Sequence, residues 1–122
     1  MAKKKVLIVD DEEDIRTLIK NLLENEGYDV SAARNGKECL AELRKKKFDL
    51  ILIDFFMPRM SGRELAEKIR NDPKLKDAKF AFLTAAQFGG MGKKELNKLN
   101  SLDYITKPFS NKDLKERIKK MI

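Results

Sequence analysis

Short apolar runs alternate with longer amphipathic stretches along the whole chain. A run of four or five apolar or β-branched residues, bounded by polar or turn residues, is typical of a strand buried on both faces of a parallel sheet. Five such runs predict strands, of which the second is weak enough to lie at an edge. They are Val6–Val9, Tyr28–Ala32, Leu50–Asp54, Lys79–Leu83 and Asp103–Thr106.

Between these runs, apolar residues recur three or four positions apart, which predicts helices. The first stripe consists of Ile15, Leu18, Ile19, Leu22 and Leu23, and Gly27 is expected to end its helix. Further helices are predicted over Lys37–Lys46, after Ser61, over Lys93–Asn100 and after Ser110. Asn35-Gly36 is read as a turn, Ser61 with Glu64 as a capping box, and Cys39 as a core residue.

Strands that alternate with helices imply right-handed βαβ units and a sheet covered on both faces. We therefore predict an α/β fold: a flavodoxin-like (βα)5 three-layer sandwich with parallel strand order 2-1-3-4-5. The 122 residues suffice for one domain, so we expect a single domain over 1–122 with no output domain. In this order the switch point, where such folds place their sites, lies between strands 1 and 3.

Polar side chains follow four of the predicted strands. Asp10 and Asp11 follow the first strand, Asp54 ends the third, Thr84 follows the fourth and Lys107 follows the fifth. Three carboxylates on one rim repel each other, and Mg²⁺ with oxygen ligands would relieve that repulsion. Each residue alone could be a helix cap or a strand-end polar group, and capping is the interpretation given to Glu12, Glu13 and Asp14.

The amino-acid composition excludes several kinds of functional site. The chain has no histidine and one cysteine, which excludes Cys/His zinc sites, histidine bases and internal disulfides. No apolar run reaches the ~18 residues of a membrane span, and the basic start lacks a signal-peptide core, so we expect a cytoplasmic protein. The net charge of +7 raises the hypothesis that the protein binds nucleic acid. The alternation of lysines with acids favours a solvated surface instead, of a kind also found in hyperthermophile proteins.

Taken together, the strand-end motifs resemble those of the response regulator receiver domain, a family that is itself a standard example of this strand order. The resemblance covers essentially the whole chain. The motifs that carry it are Asp10-Asp11, Asp54 with Met57-Pro58 and Gly62, Thr84-Ala85, and Lys107-Pro108-Phe109.

The resemblance implies that Asp54 is the phosphoacceptor of a two-component system. It would take a phosphoryl group from a phosphohistidine of a sensor histidine kinase or phosphotransfer protein. Mg²⁺, with Mn²⁺ as an alternative, would be bound by Asp11, Asp54 and the backbone carbonyl of Phe56, with Asp10 acting mostly through water. The chain would catalyse only its own phosphorylation and dephosphorylation, and so would not be a turnover enzyme.

The family pattern also implies a switch. Thr84, Lys107 and the backbone of Ala85 would contact the phosphoryl group, and Pro108, preceded by a cis bond, would fix Lys107. Thr84 would then move inward and the Tyr104 ring would follow. The surface formed by the fourth helix, fifth strand and fifth helix would thereby change its affinity for a downstream target protein. We expect a monomer, with a phosphorylation-dependent dimer as the alternative.

Three features depart from the family or tune it. Asn100-Ser101 replaces the usual Gly-Ala pair, and Asn100 is expected to adopt the left-handed conformation that keeps the turn. The glycine-rich stretch 89–92 suggests a late or mobile fourth helix. Phe56 and Ala86 offer no polar group to orient a hydrolytic water, so a phosphorylated state that lasts many minutes is expected.

Several alternatives stay open at this stage. The chain could be a phosphorelay intermediate, or a piece of a larger protein. A magnesium-dependent aspartyl-phosphate phosphatase of the haloacid-dehalogenase type would need an acid two residues after the nucleophile, where Phe56 stands. A basic nucleic-acid-binding domain and a scaffold that ignores phosphorylation are the remaining readings.

Overall fold

The computed structural model describes residues 3–84 and 98–122. Within these ranges the chain forms five strands and four helices. The strands are β1 (Lys5–Val9), β2 (Asp29–Ala33), β3 (Leu50–Asp54), β4 (Phe80–Thr84) and β5 (Tyr104–Thr106). The helices are α1 (Glu13–Asn25), α2 (Gly36–Lys45), α3 (Gly62–Asn71) and the C-terminal helix (Asn111–Met121).

The five strands form one parallel sheet in the order β2-β1-β3-β4-β5, as predicted. Val9 pairs with Ile53 of β3, and Asp54 pairs with Leu83 of β4. This register brings the carboxyl ends of β1, β3 and β4 to the same edge of the sheet. The predicted edge position of β2 is confirmed as well.

Alternate residues of the strands supply two separate cores. One face of the sheet, with Leu7, Ile53 and Phe82, packs on α2 and α3. The other face, with Ile8 and Leu52, packs on α1 and the C-terminal helix. Every residue of β3 is buried, because helices cover both of its faces. The expected core position of Cys39 is also confirmed, since that side chain is fully buried.

The ends of several elements follow local signals in the sequence. Gly27 has a φ of 94° directly after α1, and Asn100 adopts a φ of 58°, as expected for a left-handed turn residue. The Ser61 side chain accepts a hydrogen bond from the Glu64 amide at 3.1 Å, and Ser110 caps the C-terminal helix by accepting from Asp113.

Two local predictions are wrong. Asn35 does not stand in a simple turn: its side chain accepts a hydrogen bond from the Glu38 amide, and α2 begins at Gly36. Leu18 belongs to the predicted buried stripe of α1, but it is 44% exposed. Its neighbours Ile19, Leu22 and Leu23 fill the contact with the sheet, so Leu18 falls at the margin of the buried face.

Most of the predicted helix Lys93–Asn100, together with Ala85, Ala86 and the glycine-rich stretch 89–92, lies outside the described residues. Residues 98–100 form a turn.

Gly62 holds the loop after β3 against the end of that strand. A Cβ atom at this position would collide with the carbonyl oxygen of Asp54 and would approach the Cα atom of Phe55 to 2.7 Å. The amide of Gly62 donates a hydrogen bond to the Phe55 carbonyl at 2.9 Å. Glycine therefore allows the start of α3 to pack directly on the backbone that presents Asp54.

Candidate functional site

The carboxyl edge of the sheet brings together the charged residue that ends β3 and those that follow β1 and β5. Asp10 is fully buried and Asp54 is 3% exposed, while Asp11 is exposed. Lys107 follows β5 and reaches back across the edge towards β1 and β3. The predicted convergence of these residues is therefore present in the structure.

Lys107 forms the closest ion pair of the site. Its Nζ atom lies 2.7 Å from Asp10 Oδ2 and 3.7 Å from Asp54 Oδ1. The other oxygen of Asp10 accepts a hydrogen bond from the Glu12 amide at 2.9 Å. Burial alone would lower the pKa of Lys107, but the hydrogen bond and charge of Asp10, with the charges of Asp54 and Glu12, outweigh it and raise the pKa. Lys107 is therefore a permanent cation beside Asp54.

Asp54 occupies an environment that disfavours its negative charge. Burial and the neighbouring charge of Asp10 raise its pKa from 3.8 to about 7, although Lys107 and the Phe56 amide act in the opposite direction. The Phe56 amide donates to Asp54 Oδ1 at 3.3 Å, and the side chain of Asp11 also hydrogen-bonds Asp54. An added cation next to Asp54 would therefore stabilise its ionised form.

Sequence reasoning assigned Glu12 to helix capping, and the structure corrects this interpretation. Glu12 is the N-cap residue of α1, but its side chain makes no capping hydrogen bond. A carboxylate oxygen of Glu12 lies 3.8 Å from Lys107 Nζ. Carboxylate oxygens of Asp10, Asp11 and Glu12 lie within 4.8 Å of one another. Glu12 thus joins Asp10, Asp11 and Asp54 in a cluster of carboxyl groups that we call the acidic rim.

The chemistry of the donor set fits a hard divalent cation. Asp11 and Asp54 place two carboxyl groups in hydrogen-bond contact, and Glu12 adds a third oxygen donor near Asp11. Carboxylate oxygens are the ligands that Mg²⁺ prefers, and bound cations relieve such repulsion. Asp10 is less available as a direct ligand, since Lys107 and the Glu12 amide already engage both of its oxygens.

Thr84 and Tyr104 lie on the neighbouring strands β4 and β5. Thr84 is buried, and its carbonyl accepts a hydrogen bond from the Lys107 amide at 2.6 Å. The half-buried ring of Tyr104 stacks on Phe82, with 6.2 Å between the ring centroids. The peptide bond between Lys107 and Pro108 is cis.

Phe56 stands at the open side of the site. Its side chain is 53% exposed, and its ring packs edge-on against Phe55 with centroids 4.9 Å apart. Ala85, the predicted backbone contact of a phosphoryl group, lies outside the described residues.

The family model of the response regulator receiver domain matches residues 6–119. This chain belongs to the response regulator receiver domain family. It is a receiver of the kind that serves as phosphoacceptor in two-component signalling. Receivers of this family work with histidine kinases and downstream effectors, and they generally use Mg²⁺.

Individual proteins agree with this assignment. The phosphate regulon transcriptional regulatory protein PhoB of Pseudomonas aeruginosa is 39% identical over 100% of this chain and 53% of its own length. The chain thus spans about half of that relative. Chemotaxis protein CheY4 of Vibrio cholerae has 31% identity and a TM-score of 0.92, with coverage of 99% of this chain and 100% of CheY4.

A second similar structure was solved with magnesium and BeF bound. Response regulator TrrA of Thermotoga maritima, in complex with Mg²⁺ and BeF, is 39% identical with a TM-score of 0.83, over 98% of this chain and 99% of TrrA. Among the described residues of the present protein, no helix is both long and apolar enough to cross a membrane.

Proposed function

We propose that Asp54 accepts the phosphoryl group that a sensor histidine kinase or phosphotransfer protein carries on histidine. The observation that supports this most strongly is the position of Lys107, whose Nζ atom lies 3.7 Å from Asp54 Oδ1 while Asp10 holds it at 2.7 Å. A cation fixed beside a buried carboxylate suits a reaction that brings more negative charge to that carboxylate.

In this reaction an oxygen of Asp54 attacks phosphorus, a P–O bond forms, and the P–N bond to the donor imidazole breaks. The electron pair of the P–N bond stays on the imidazole nitrogen, which takes a proton from solvent. Asp54 must be ionised to attack, and the Lys107 ammonium group favours that state. Lys107 and the Thr84 hydroxyl would then hold the phosphoryl oxygens of the product.

Mg²⁺ would be held by Asp11, Asp54 and the carbonyl of Phe56, and it would neutralise charge between the attacking carboxylate and the phosphoryl oxygens. Asp10 would act through water, since its own oxygens are engaged. The magnesium and BeF bound by TrrA support this assignment by similarity. Mn²⁺ would serve in the same place.

The same site would act as a switch rather than as a turnover enzyme. A new dianion on Asp54 would draw Thr84 inward, and the Tyr104 ring, which now stacks on Phe82, would move into the vacated space. The surface around β5 and the C-terminal helix would then bind a downstream target protein. A phosphatase of the haloacid-dehalogenase type is disfavoured because Phe56 stands where that family needs an acid.

Incubation of the purified chain with acetyl phosphate or phosphoramidate and Mg²⁺, followed by intact mass measurement, tests this proposal. The wild-type chain should gain one phosphoryl group, and Asp54→Asn should gain none. Asp29→Asn is the matched control, because Asp29 is an exposed aspartate at the start of β2. Equal modification of Asp54→Asn and wild type would refute the assignment.

A further inference from the structure

A concave pocket lies at the edge of the sheet opposite to Asp54, where the strands begin. Its volume is about 570 Å³. Four segments line it: the residue before β1, the stretch from the end of α2 to the start of β3, the loop between α3 and β4, and the end of the C-terminal helix. No residue of the acidic rim takes part.

Lysines dominate the lining of this pocket. They come from all four segments. Lysines on an ordinary solvated face would instead come from a single helix. The lining contains seven lysine side chains and only two acidic side chains, both aspartates. The lysines are Lys4, Lys46, Lys47, Lys74, Lys79, Lys119 and Lys120.

The ion pairs formed among the described residues leave these ammonium groups out. Within residues 3–84 and 98–122, none of the seven forms an ion pair with a carboxylate. Asp49 is engaged elsewhere, because its Oδ2 atom accepts a hydrogen bond from the Lys5 amide at 2.7 Å. The charge of Asp77 acts on Arg70. The pocket therefore carries an excess of positive charge that the fold does not neutralise.

Apolar side chains also line the pocket. Leu43, Phe48 and Leu75 belong to the margin of the core below α2 and α3, and all three line the pocket. Lys46 Nζ lies 5.2 Å from the centroid of the Phe48 ring, so one face of that ring already meets a cation. Ligand pockets generally combine such an apolar wall with a few charged groups and measure about 300–1,000 Å³.

From this arrangement we propose that the pocket binds an organic polyphosphate with an aromatic body, of the size and charge of a nucleoside triphosphate. The phosphates would lie among the lysines, and the aromatic ring would pack on Phe48 and its apolar neighbours. A concave site of this volume suits a small ligand better than a nucleic-acid duplex, which needs charge along an extended surface.

The test is isothermal titration calorimetry with ATP at low salt and in EDTA, which keeps metal-bound nucleotide away from the acidic rim. We expect saturable one-to-one binding. Adenosine alone and inorganic triphosphate alone should each bind more weakly, because each lacks one half of the recognition. Lys47→Glu combined with Lys120→Glu should weaken ATP binding by about tenfold or more, since two phosphate contacts become repulsive.

Lys68→Glu combined with Lys112→Glu is the matched control. Both lysines are exposed, both lie outside the pocket, and the change in net charge is the same. ATP affinity of this variant should stay within about twofold of wild type. Equal losses in the two double variants would mean diffuse attraction and would overturn the proposal. Absence of ATP binding, or triphosphate binding as tight as that of ATP, would overturn it too. Displacement of ATP by duplex DNA at lower concentration would point to nucleic acid instead.

This proposal does not depend on phosphorylation of Asp54. Asp54→Asn should bind ATP as wild type does, and the Lys47→Glu/Lys120→Glu variant should still gain a phosphoryl group from phosphoramidate. A failure at one site therefore leaves the result at the other site interpretable.

Discussion

The ammonium group of Lys107 lies closer to Asp10 than to Asp54, at 2.7 Å against 3.7 Å. Asp10 is fully buried, and Lys107 is the cation that compensates its charge. Without a phosphoryl group, Lys107 thus has a structural role at Asp10 and at the same time stands within reach of Asp54. A phosphoryl group on Asp54 would compete with Asp10 for the same ammonium.

Replacement of Lys107 by methionine should destabilise the protein in EDTA, because the buried charge of Asp10 would lose the cation that lies 2.7 Å away. Breaking a buried pair costs about 3–5 kcal/mol, and we expect about 2 kcal/mol at this partly open rim. Urea unfolding measures the difference. Lys115→Met is the control, because the ion pair of Lys115 with Glu26 is exposed and as long as 4.0 Å. A cost below that of Lys115→Met would contradict the pairing with Asp10.

The raised pKa of Asp54 gives a pH dependence with a defined sign. The folded state binds this proton with a pKa of about 7, against 3.8 for an ordinary aspartate side chain. The folded state therefore binds the proton more tightly than the unfolded state does. The contribution of Asp54 to the free energy of unfolding consequently falls as the pH rises from about 4 to about 7. In EDTA at pH 8, Asp54→Asn should exceed wild type in stability by about 2 kcal/mol, less than the full shift implies because solvent screens the rim.

The stability advantage of Asp54→Asn should shrink towards pH 4.5, where Asp54 is protonated in the folded state. Urea unfolding of both proteins across this pH range measures the change. Asp29→Asn should show no comparable trend, since Asp29 is exposed. A constant difference between Asp54→Asn and wild type would argue against the unfavourable charge on Asp54.

Gly62→Ala should be strongly destabilising, because the new methyl group would meet backbone atoms of Asp54 and Phe55 that cannot move independently. We expect a loss of about 2–4 kcal/mol, and a slower phosphorylation of Asp54 as its backbone shifts. Gly36→Ala is the matched control: its methyl group would meet the flexible end of Met60. Thermal or urea unfolding should therefore show a loss below about 1 kcal/mol for Gly36→Ala, partly offset by helix propensity. Equal losses would contradict the close approach of α3 to β3.

A long phosphoryl lifetime is predicted from Phe56, which supplies no polar group to orient water beside Asp54. Phe56→Glu should shorten the half-life of the phosphorylated chain severalfold, by analogy with the gain from a positioned base. The half-exposed position of Phe56 makes this replacement tolerable for the fold. Loss of the phosphoryl mass over time measures the half-life. A wild-type half-life of seconds would refute the prediction.

Much of the fold was predictable because its signals are local. Apolar runs identified the buried strands, and Gly27, Ser61 and Ser110 marked helix ends through their own conformational or capping preferences. Asp54 could be placed at the end of β3 because a charge has no place within a strand covered on both faces.

The features that the sequence did not predict depend on contacts between residues distant in sequence. Acids at a helix start have a sufficient local explanation, so nothing near Glu12 indicated that its carboxylate faces Lys107. The exposure of Leu18 depends on the rotation of α1 about its axis relative to the sheet. The hydrophobic stripe alone does not show which of its residues lie at the edge of the contact. Likewise, the lysines of the pocket at the edge of the sheet opposite to Asp54 come from four segments. Only the folded structure shows that these segments meet.

The most direct test of the central claim is to locate the phosphoryl group after reaction with phosphoramidate and Mg²⁺. Borohydride reduction converts an aspartyl phosphate to homoserine, and peptide mass spectrometry then identifies the position. The account predicts homoserine at position 54, dependent on divalent metal and strongly reduced in Lys107→Met. Homoserine at Asp10 or Asp11, or an unmodified peptide around Asp54 in a phosphorylated chain, would contradict it.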